Sequence, residues 1–102
     1  MINAVAEQAD EVERLCKRFN VQRLELFGSA AQGAFDPSRS DLDFIVDFRP
    51  AALDNYADTY FGLLEALEDL FGRAVDLVVH STIKNPYFLK AIEETRTAVY
   101  EA

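Results

Sequence analysis

Three aspartates occupy positions where strand geometry would gather their carboxylates. Asp41 and Asp43 flank Leu42 in a segment that alternates in polarity, and Asp76 lies in a second such segment. Side chains at i and i+2 of a strand point to the same face. If the two strands are neighbours and share one apolar core, all three carboxylates emerge on the opposite face of the sheet. Asp41, Asp43 and Asp76 are therefore the candidate catalytic residues.

A cluster of this kind needs a cation. Two unit charges ~6 Å apart repel by roughly 3 kcal/mol at an effective dielectric of ~20, and Arg39 and Arg73 lie beyond the strand ends. Mg²⁺ is typically held by a few carboxylates together with substrate phosphates, and two such ions can stabilise a nucleotidyl displacement. An isolated Asp-Leu-Asp is also typical of the solvated face of a half-buried strand, so the neighbouring residues matter.

Gly28 and Ser29 provide a candidate phosphate seat directly after a predicted strand. Glycine lets the backbone approach a ligand closely, and free amides at the start of a helix attract phosphate oxygens. The Ser29 hydroxyl can reach the same group. Together with the three aspartates, this pair indicates a nucleotide substrate.

Periodicity predicts the elements that must hold these residues. Apolar side chains at steps of three and four predict a first helix that ends near Asn20, and Gly72 is expected to end the second. Asn85 and Pro86 are typical of a helix start. The prediction is an α/β (α+β) chain with a small mixed β-sheet, helices mainly on one face and a single domain over residues 1–102. Its segments are helices at 2–20, 56–71 and 86–95 and strands at 24–27, 41–48, 74–80 and 97–100.

Composition narrows the classes of function. The 102 residues include 10 Lys and Arg against 18 Asp and Glu, a formal net charge of −8. This balance disfavours direct nucleic-acid binding or a hold on anionic lipid, because phosphates are bound through Lys and Arg. Without a signal peptide or a long apolar run, a cytoplasmic protein that does not enter a membrane is expected. The lone Cys16 lies on the apolar stripe of the first helix and is predicted to be a core residue, not a nucleophile.

These motifs resemble a known family. Phe27-Gly28-Ser29, then Asp41-Leu42-Asp43, then Val75-Asp76-Leu77-Val78 resemble the nucleotidyltransferase fold of the DNA polymerase β superfamily. The small size, Asn85-Pro86-Tyr87 and the ending Tyr100-Glu101 are most similar to its minimal nucleotidyltransferases, the MNT proteins. Those are commonly encoded beside HEPN-domain proteins as the antitoxin half of a toxin–antitoxin pair.

The resemblance implies a reaction and its residues. Asp41 and Asp43 would bind two Mg²⁺ ions that engage ATP, and Asp76 would complete a metal site and help to activate the acceptor hydroxyl. Gly28 and Ser29 would seat the phosphates. The implied activity is protein adenylyltransfer (AMPylation): AMP moves from ATP to a tyrosine of the HEPN toxin, pyrophosphate leaves, and the toxin's RNase activity is silenced. A hetero-complex with the toxin or a homo-oligomer is the expected assembly.

The sequence departs from the family pattern in two places. Eleven residues, 30–40, separate Ser29 from Asp41, where the motif often has ten. Ala30 and Gln32 stand where many relatives carry Arg. The charge that neutralises phosphate is therefore expected from Arg39, from Lys84 or from a partner chain, and Arg39 is the candidate assigned to the nucleotide.

Two other functions stay open. The chain could block its partner by stoichiometric binding without catalysis, or it could modify a small molecule such as an aminoglycoside. Five aromatic side chains are more than the helix faces can easily bury in so small a domain. About half of them are expected in the core, and the others are expected to form a patch at an interface with another protein. The five are Tyr56, Tyr60, Phe61, Tyr87 and Phe88. His80 and Asp47 are expected to lie outside the site.

Overall fold

The computed structural model describes residues 3–28 and 42–102. The predicted first helix is divided at Gln8 into two, whereas the remaining helices and strands fall close to their predicted segments. The elements are α1 (Asn3–Glu7), α2 (Ala9–Arg18), β1 (Val21–Phe27), β2 (Leu42–Phe48), α3 (Tyr56–Phe71), β3 (Val75–Val79), α4 (Pro86–Thr95) and β4 (Thr97–Glu101), with 3-10 helices at Pro50–Asn55 and His80–Thr82.

The four strands form one mixed sheet in the order β3-β2-β1-β4. β1 pairs antiparallel with β2 on one side and with β4 on the other. β2 and β3 run parallel, and the chain between them crosses over through α3, as a parallel pair requires. The sheet is therefore mixed, as the sequence predicts.

One face of the sheet carries the main core. Leu42, Phe44 and Val46 of β2 are buried on this face, which confirms the predicted alternation of that strand. Buried residues of α1, α2 and α3 pack against them: Val5, Val12, Cys16, Leu63 and Leu67. Burial raises the pKa of the Cys16 thiol to about 12, with a further contribution from Glu13. Cys16 is thus a core residue, as predicted.

The opposite face is covered by α4. Ile92 of that helix packs with Phe27 of β1 and Ile45 of β2, and all three side chains are buried. Ile45 and Asp43 are two residues apart on β2, so this smaller cluster lies on the aspartate face. Of the α-helices in residues 3–28 and 42–102, α1, α2 and α3 therefore lie on one face, in agreement with the prediction, and α4 lies beside the candidate site.

A β-bulge in β1 and the end of α3 complete the scaffold. The register of β1 shifts between Val21 and Arg23, a local irregularity that lets Val21 join Leu24 on the core face. Gly72 ends α3 in the left-handed conformation, with φ 64°, as predicted. Within the described ranges, no helix has both the length and the apolar character needed to cross a bilayer.

Candidate functional site

Two of the three predicted carboxylates lie side by side. The parallel register of β2 and β3 pairs Asp43 directly with Asp76. Neighbouring strands are ~4.8 Å apart, and paired positions point to the same face. Asp43 is half-buried and Asp76 is exposed. The sheet thus presents two adjacent carboxylates on the face opposite the main core, with the more accessible one on the edge strand β3.

Gly28 contacts Asp43 from the neighbouring strand. The antiparallel register places Phe27 opposite Asp43, and Gly28 follows with φ 73°. A β-carbon added to Gly28 would lie 2.8 Å from Asp43 Oδ2, which is too close for two unbonded atoms. The left-handed backbone therefore favours glycine, and any larger residue would also displace the Asp43 carboxylate.

The amide of Gly28 is held by the last turn of α4. Its N–H donates a hydrogen bond to Thr95 Oγ1 at 3.2 Å, across 67 positions of sequence. The Gly28 amide is therefore already engaged within the chain. Sequence reasoning did not identify Thr95, since nothing local to the Gly-Ser pair points to a residue so far along the chain.

Tyr60 of α3 lies near the other carboxylate. Its hydroxyl donates to the carbonyl oxygen of Leu77, the residue after Asp76, at 2.5 Å. Burial raises the pKa of the Tyr60 hydroxyl above its ordinary value, and the charges of Asp76 and Tyr56 raise it further. The Tyr60 hydroxyl is thereby hydrogen-bonded to a backbone carbonyl of the edge strand, next to the site. Beside it, an apolar groove of about 390 Å³ runs along β3.

Asp41, Ser29 and Arg39 lie outside the described residues. Their predicted roles as metal ligand, phosphate seat and nucleotide-binding residue therefore stay predictions. Within residues 3–28 and 42–102, no group of three or more His, Cys, Asp and Glu side chains is placed to hold a metal ion. The described part supplies two of the three predicted ligands, Asp43 and Asp76.

The described residues fit a magnesium site. Asp43 and Asp76 are oxygen donors on adjacent strands, the ligand type that Mg²⁺ prefers. The missing side chain of Gly28 lets the turn lie close to Asp43 Oδ2. Two protein carboxylates suit an ion that completes its coordination with water and substrate phosphates.

Residues that the sequence analysis placed outside the site have other contacts. Asp47 shares the aspartate face of β2, but its Oδ1 lies 3.7 Å from Nδ1 of His80. This pair is at the far end of β2 from Asp43. Lys84, a candidate for neutralising phosphate, is exposed in the segment before α4.

A buried ion-pair cluster was not anticipated. Glu25 is only 4% exposed, although the sequence pattern placed it on the polar side of a strand. Its carboxylate lies 3.2 Å from Arg23 Nε and 3.5 Å from Arg96 Nε, so two guanidinium groups compensate its charge. Arg96 follows α4 directly, and the cluster therefore ties the end of that helix to β1.

Most of the singled-out aromatic residues are exposed. Tyr87 is 84% and Phe61 59% exposed, and Tyr56 and Phe88 are also exposed. Tyr60 is half-buried against the main core. The share in the core is thus smaller than the expected half, because α3 and α4 each direct only one face toward the sheet.

Sequence comparison identifies relatives of this chain. The nucleotidyltransferase domain family matches residues 10–99. A Methanocaldococcus jannaschii protein, provisionally named a protein adenylyltransferase, is 38% identical over 77 residues, which cover 76% of this chain and 75% of that protein. The protein adenylyltransferase MntA of Thermococcus cleftensis is 37% identical over 75 residues, or 72% of this chain and 70% of that protein.

Solved structures show the same fold. A protein provisionally described as a minimal nucleotidyltransferase superposes with a TM-score of 0.74 at 28% identity, over 90% of this chain and 89% of that chain. A chain from the complex of the tri-AMPylated Shewanella oneidensis HEPN toxin with MNT antitoxin has a TM-score of 0.65 at 18% identity, over 96% of this chain and 73% of that one. With its adjacent aspartates, its glycine turn and a family match across most of its length, the chain belongs to the nucleotidyltransferase domain family.

Proposed function

We propose that this chain is an antitoxin that transfers AMP from ATP to a tyrosine hydroxyl of a HEPN-domain toxin. The observation that carries the proposal is the pairing of Asp43 with Asp76 on adjacent parallel strands, with Gly28 against Asp43. The protein adenylyltransferases among its relatives support the class of reaction. The structural likeness to a chain from a HEPN toxin–MNT antitoxin complex supports the choice of partner.

In this reaction the acceptor oxygen bonds to the α-phosphorus of ATP. The bond from that phosphorus to the oxygen bridging the α- and β-phosphates breaks, pyrophosphate leaves with that oxygen, and the hydroxyl proton is released. Asp41, Asp43 and Asp76 would hold two Mg²⁺ ions, which supply charge neutralisation to the attacking and leaving oxygens when bound. Gly28, Ser29 and Arg39 are the candidates for holding the phosphates.

Asp76 is the carboxylate best placed to meet the acceptor. It is exposed and lies on β3, which forms one edge of the sheet, whereas Asp43 is half-buried on the next strand inward. A hydroxyl carried by a large partner can therefore reach Asp76 more easily than Asp43. We assign to Asp76 the orientation of that hydroxyl and the acceptance of its proton.

The first experiment tests transfer and its dependence on this pair. The purified chain is incubated with ATP labelled at the α-phosphate, Mg²⁺ and a HEPN-domain protein from the same organism. Label is expected on the partner, on tyrosine by mass spectrometry. Asp43→Asn and Asp76→Asn are each expected to reduce the rate by at least ~100-fold, because loss of a ligand charge weakens both metal binding and transition-state stabilisation.

Asp47→Asn is the matched control. This residue lies on the same strand and face, four positions from Asp43, and contacts His80 instead. It should transfer AMP at the wild-type rate. Equal losses in the Asp43 and Asp47 variants, or a wild-type chain that labels nothing while it still neutralises the partner, would contradict the proposed catalysis.

Stoichiometric blocking is the second candidate function, and the exposed aromatic side chains favour it. Tyr87, Phe61 and Leu53 are each more than half exposed, which suits a surface that contacts another protein. A titration separates the two functions. A catalyst neutralises a molar excess of partner when ATP is supplied, whereas a blocker stops at a fixed ratio with or without ATP.

A further inference from the structure

A single hydrogen bond joins the last turn of α4 to the glycine of the candidate site. Thr95 Oγ1 accepts from the Gly28 N–H at 3.2 Å. The same oxygen lies 3.3 Å from the carbonyl oxygen of Ala91, to which the Thr95 hydroxyl donates. With its proton committed to the helix, the hydroxyl oxygen is left as an acceptor directed at Gly28.

Thr95 lies at the end of α4, a helix that is held in place on the sheet. Ile92, three residues before Thr95, is buried between α4 and the sheet. Arg96, the next residue, lies 3.5 Å from the carboxylate of the buried Glu25 on β1. Thr95 is therefore anchored on both sides, and its position relative to β1 is set by packing and charge rather than by its own hydrogen bond.

Gly28 in turn lies close to the carboxylate of Asp43. A β-carbon at Gly28 would lie 2.8 Å from Asp43 Oδ2, so a small displacement of this turn changes the space next to the carboxylate. The hydrogen bond that the Gly28 N–H donates to Thr95 Oγ1 restrains Gly28 in its left-handed conformation, with φ 73°. α4 thereby controls the shape of a site to which it contributes no carboxylate.

We propose that Thr95 is a positioning residue, which holds the turn at Gly28 against Asp43 and so sets where the nucleotide phosphates bind. The inference rests on the proposed function for the nucleotide itself. Its action is indirect: Thr95 acts through the Gly28 amide. Valine in its place keeps the branched shape but has no oxygen to accept the hydrogen bond, whereas serine keeps the oxygen.

The test uses Thr95→Val, Thr95→Ser and the control Thr97→Val, which changes another threonine two residues further on, at the start of β4. The variants are compared in the transfer assay with labelled ATP and the HEPN partner. Thr95→Val is expected to raise KM for ATP and lower kcat, with a loss in kcat/KM of about 10-fold to 100-fold, the range typical of slight misplacement. The kcat/KM of Thr95→Ser should stay within about 3-fold of the wild-type value, and that of Thr97→Val should equal the wild-type value.

A second measurement does not depend on activity. Hydrogen exchange of the Gly28 amide, followed by NMR, should be slow in the wild type and in Thr95→Ser and fast in Thr95→Val, while exchange in the core strands stays unchanged. Wild-type kinetics in Thr95→Val would overturn the positioning role, as would unchanged protection of Gly28. A wild-type chain that transfers no AMP would instead contradict the proposed function, and exchange at Gly28 would still decide whether Thr95 restrains the turn.

Discussion

At Gly28 the demands of backbone conformation and of the neighbouring carboxylate coincide. Its φ of 73° is one that residues with a β-carbon adopt at a cost, and such an atom would lie only 2.8 Å from Asp43 Oδ2. Gly72 has a similar φ of 64°, but no atom lies within 4 Å of where its β-carbon would be. A comparison of the two glycines therefore distinguishes the effect of backbone strain, which both share, from that of crowding, which is present only at Gly28.

Gly28→Ala is expected to lower AMP transfer at least ~10-fold and to reduce the free energy of unfolding by about 1–2 kcal/mol. Gly72→Ala should lose about 1 kcal/mol of stability from the left-handed backbone and keep its transfer rate. Urea unfolding and the labelled-ATP assay measure the two effects. Equal activity losses in both variants would mean that strain alone, not the contact with Asp43, explains the requirement for glycine.

The raised pKa of Cys16 predicts that the free energy of unfolding decreases at alkaline pH. Its pKa is about 12 in the folded chain against 9.0 for an ordinary thiol, so the folded state keeps the proton that the unfolded state loses. The stabilising effect is full below pH 9 and is lost as the pH rises toward 12. Between pH 8 and pH 10 the free energy of unfolding should fall by about 1 kcal/mol from this group.

Cys16→Ala isolates that contribution. The variant has a lower baseline stability, because a buried side chain is truncated, but its decline between pH 8 and pH 10 should be smaller than that of the wild type by about 1 kcal/mol. Urea titrations of both proteins at the two pH values give the difference. Parallel declines would show that the thiol does not ionise on unfolding in this range.

At the scale of elements, α4 joins the candidate site to the exposed aromatic surface. Its first turn carries Tyr87 and Phe88, and its last turn carries Thr95, which holds Gly28. Phe88 also packs edge-to-face on Phe27, the residue before Gly28, with ring centroids 6.1 Å apart. Both ends of the helix thus contact the segment that leads into the site.

The start of α4 gives a stability prediction. Asn85 Oδ1 accepts hydrogen bonds from the amides of Tyr87 at 2.9 Å and Phe88 at 3.3 Å. Asn85→Ala leaves both amides without this acceptor and should cost about 1 kcal/mol in the free energy of unfolding. Asn85→Asp should retain the wild-type urea midpoint, because a carboxylate also accepts and its charge suits a helix N-terminus. A midpoint for Asn85→Ala equal to that of wild type would contradict the capping role.

For the whole molecule, burial divides the aromatic residues into two classes. Phe44 is fully buried in the main core, stacked near Phe71, whereas Phe61 is 59% exposed on α3. The first class supports folding. The second is available to a partner, in a chain whose formal net charge of −8 gives it an acidic surface.

Truncation of one phenylalanine from each class tests this division. Phe44→Ala should lose about 3–5 kcal/mol of unfolding free energy, a large part of the ~5–15 kcal/mol typical of a small domain. Phe61→Ala should change stability by less than about 1 kcal/mol. In calorimetric titration with the HEPN partner, weaker binding by Phe61→Ala would place α3 at the interface. Unchanged affinity would exclude Phe61 from it.

The sequence by itself determined the features that depend on neighbours a few residues apart. The alternation through Leu42, Asp43 and Phe44 fixed which side chains are buried, and Asn85 and Gly72 marked helix ends, because periodicity and capping are local. That periodicity also required Asp43 and Asp76 to share a face if their strands were neighbours. The shared face of these two predicted site residues was thus foreseeable once their strands were assumed to be neighbours.

Only the tertiary structure decided the contacts between distant segments. The parallel register that pairs Asp43 with Asp76, the contact of Thr95 with Gly28 and the burial of Glu25 beside Arg96 all join residues more than 30 positions apart. Nothing in the local pattern of either segment encodes such a pairing, because it depends on strand order and on which face of the sheet α4 covers. Long-range packing, not local preference, therefore built the surroundings of the site.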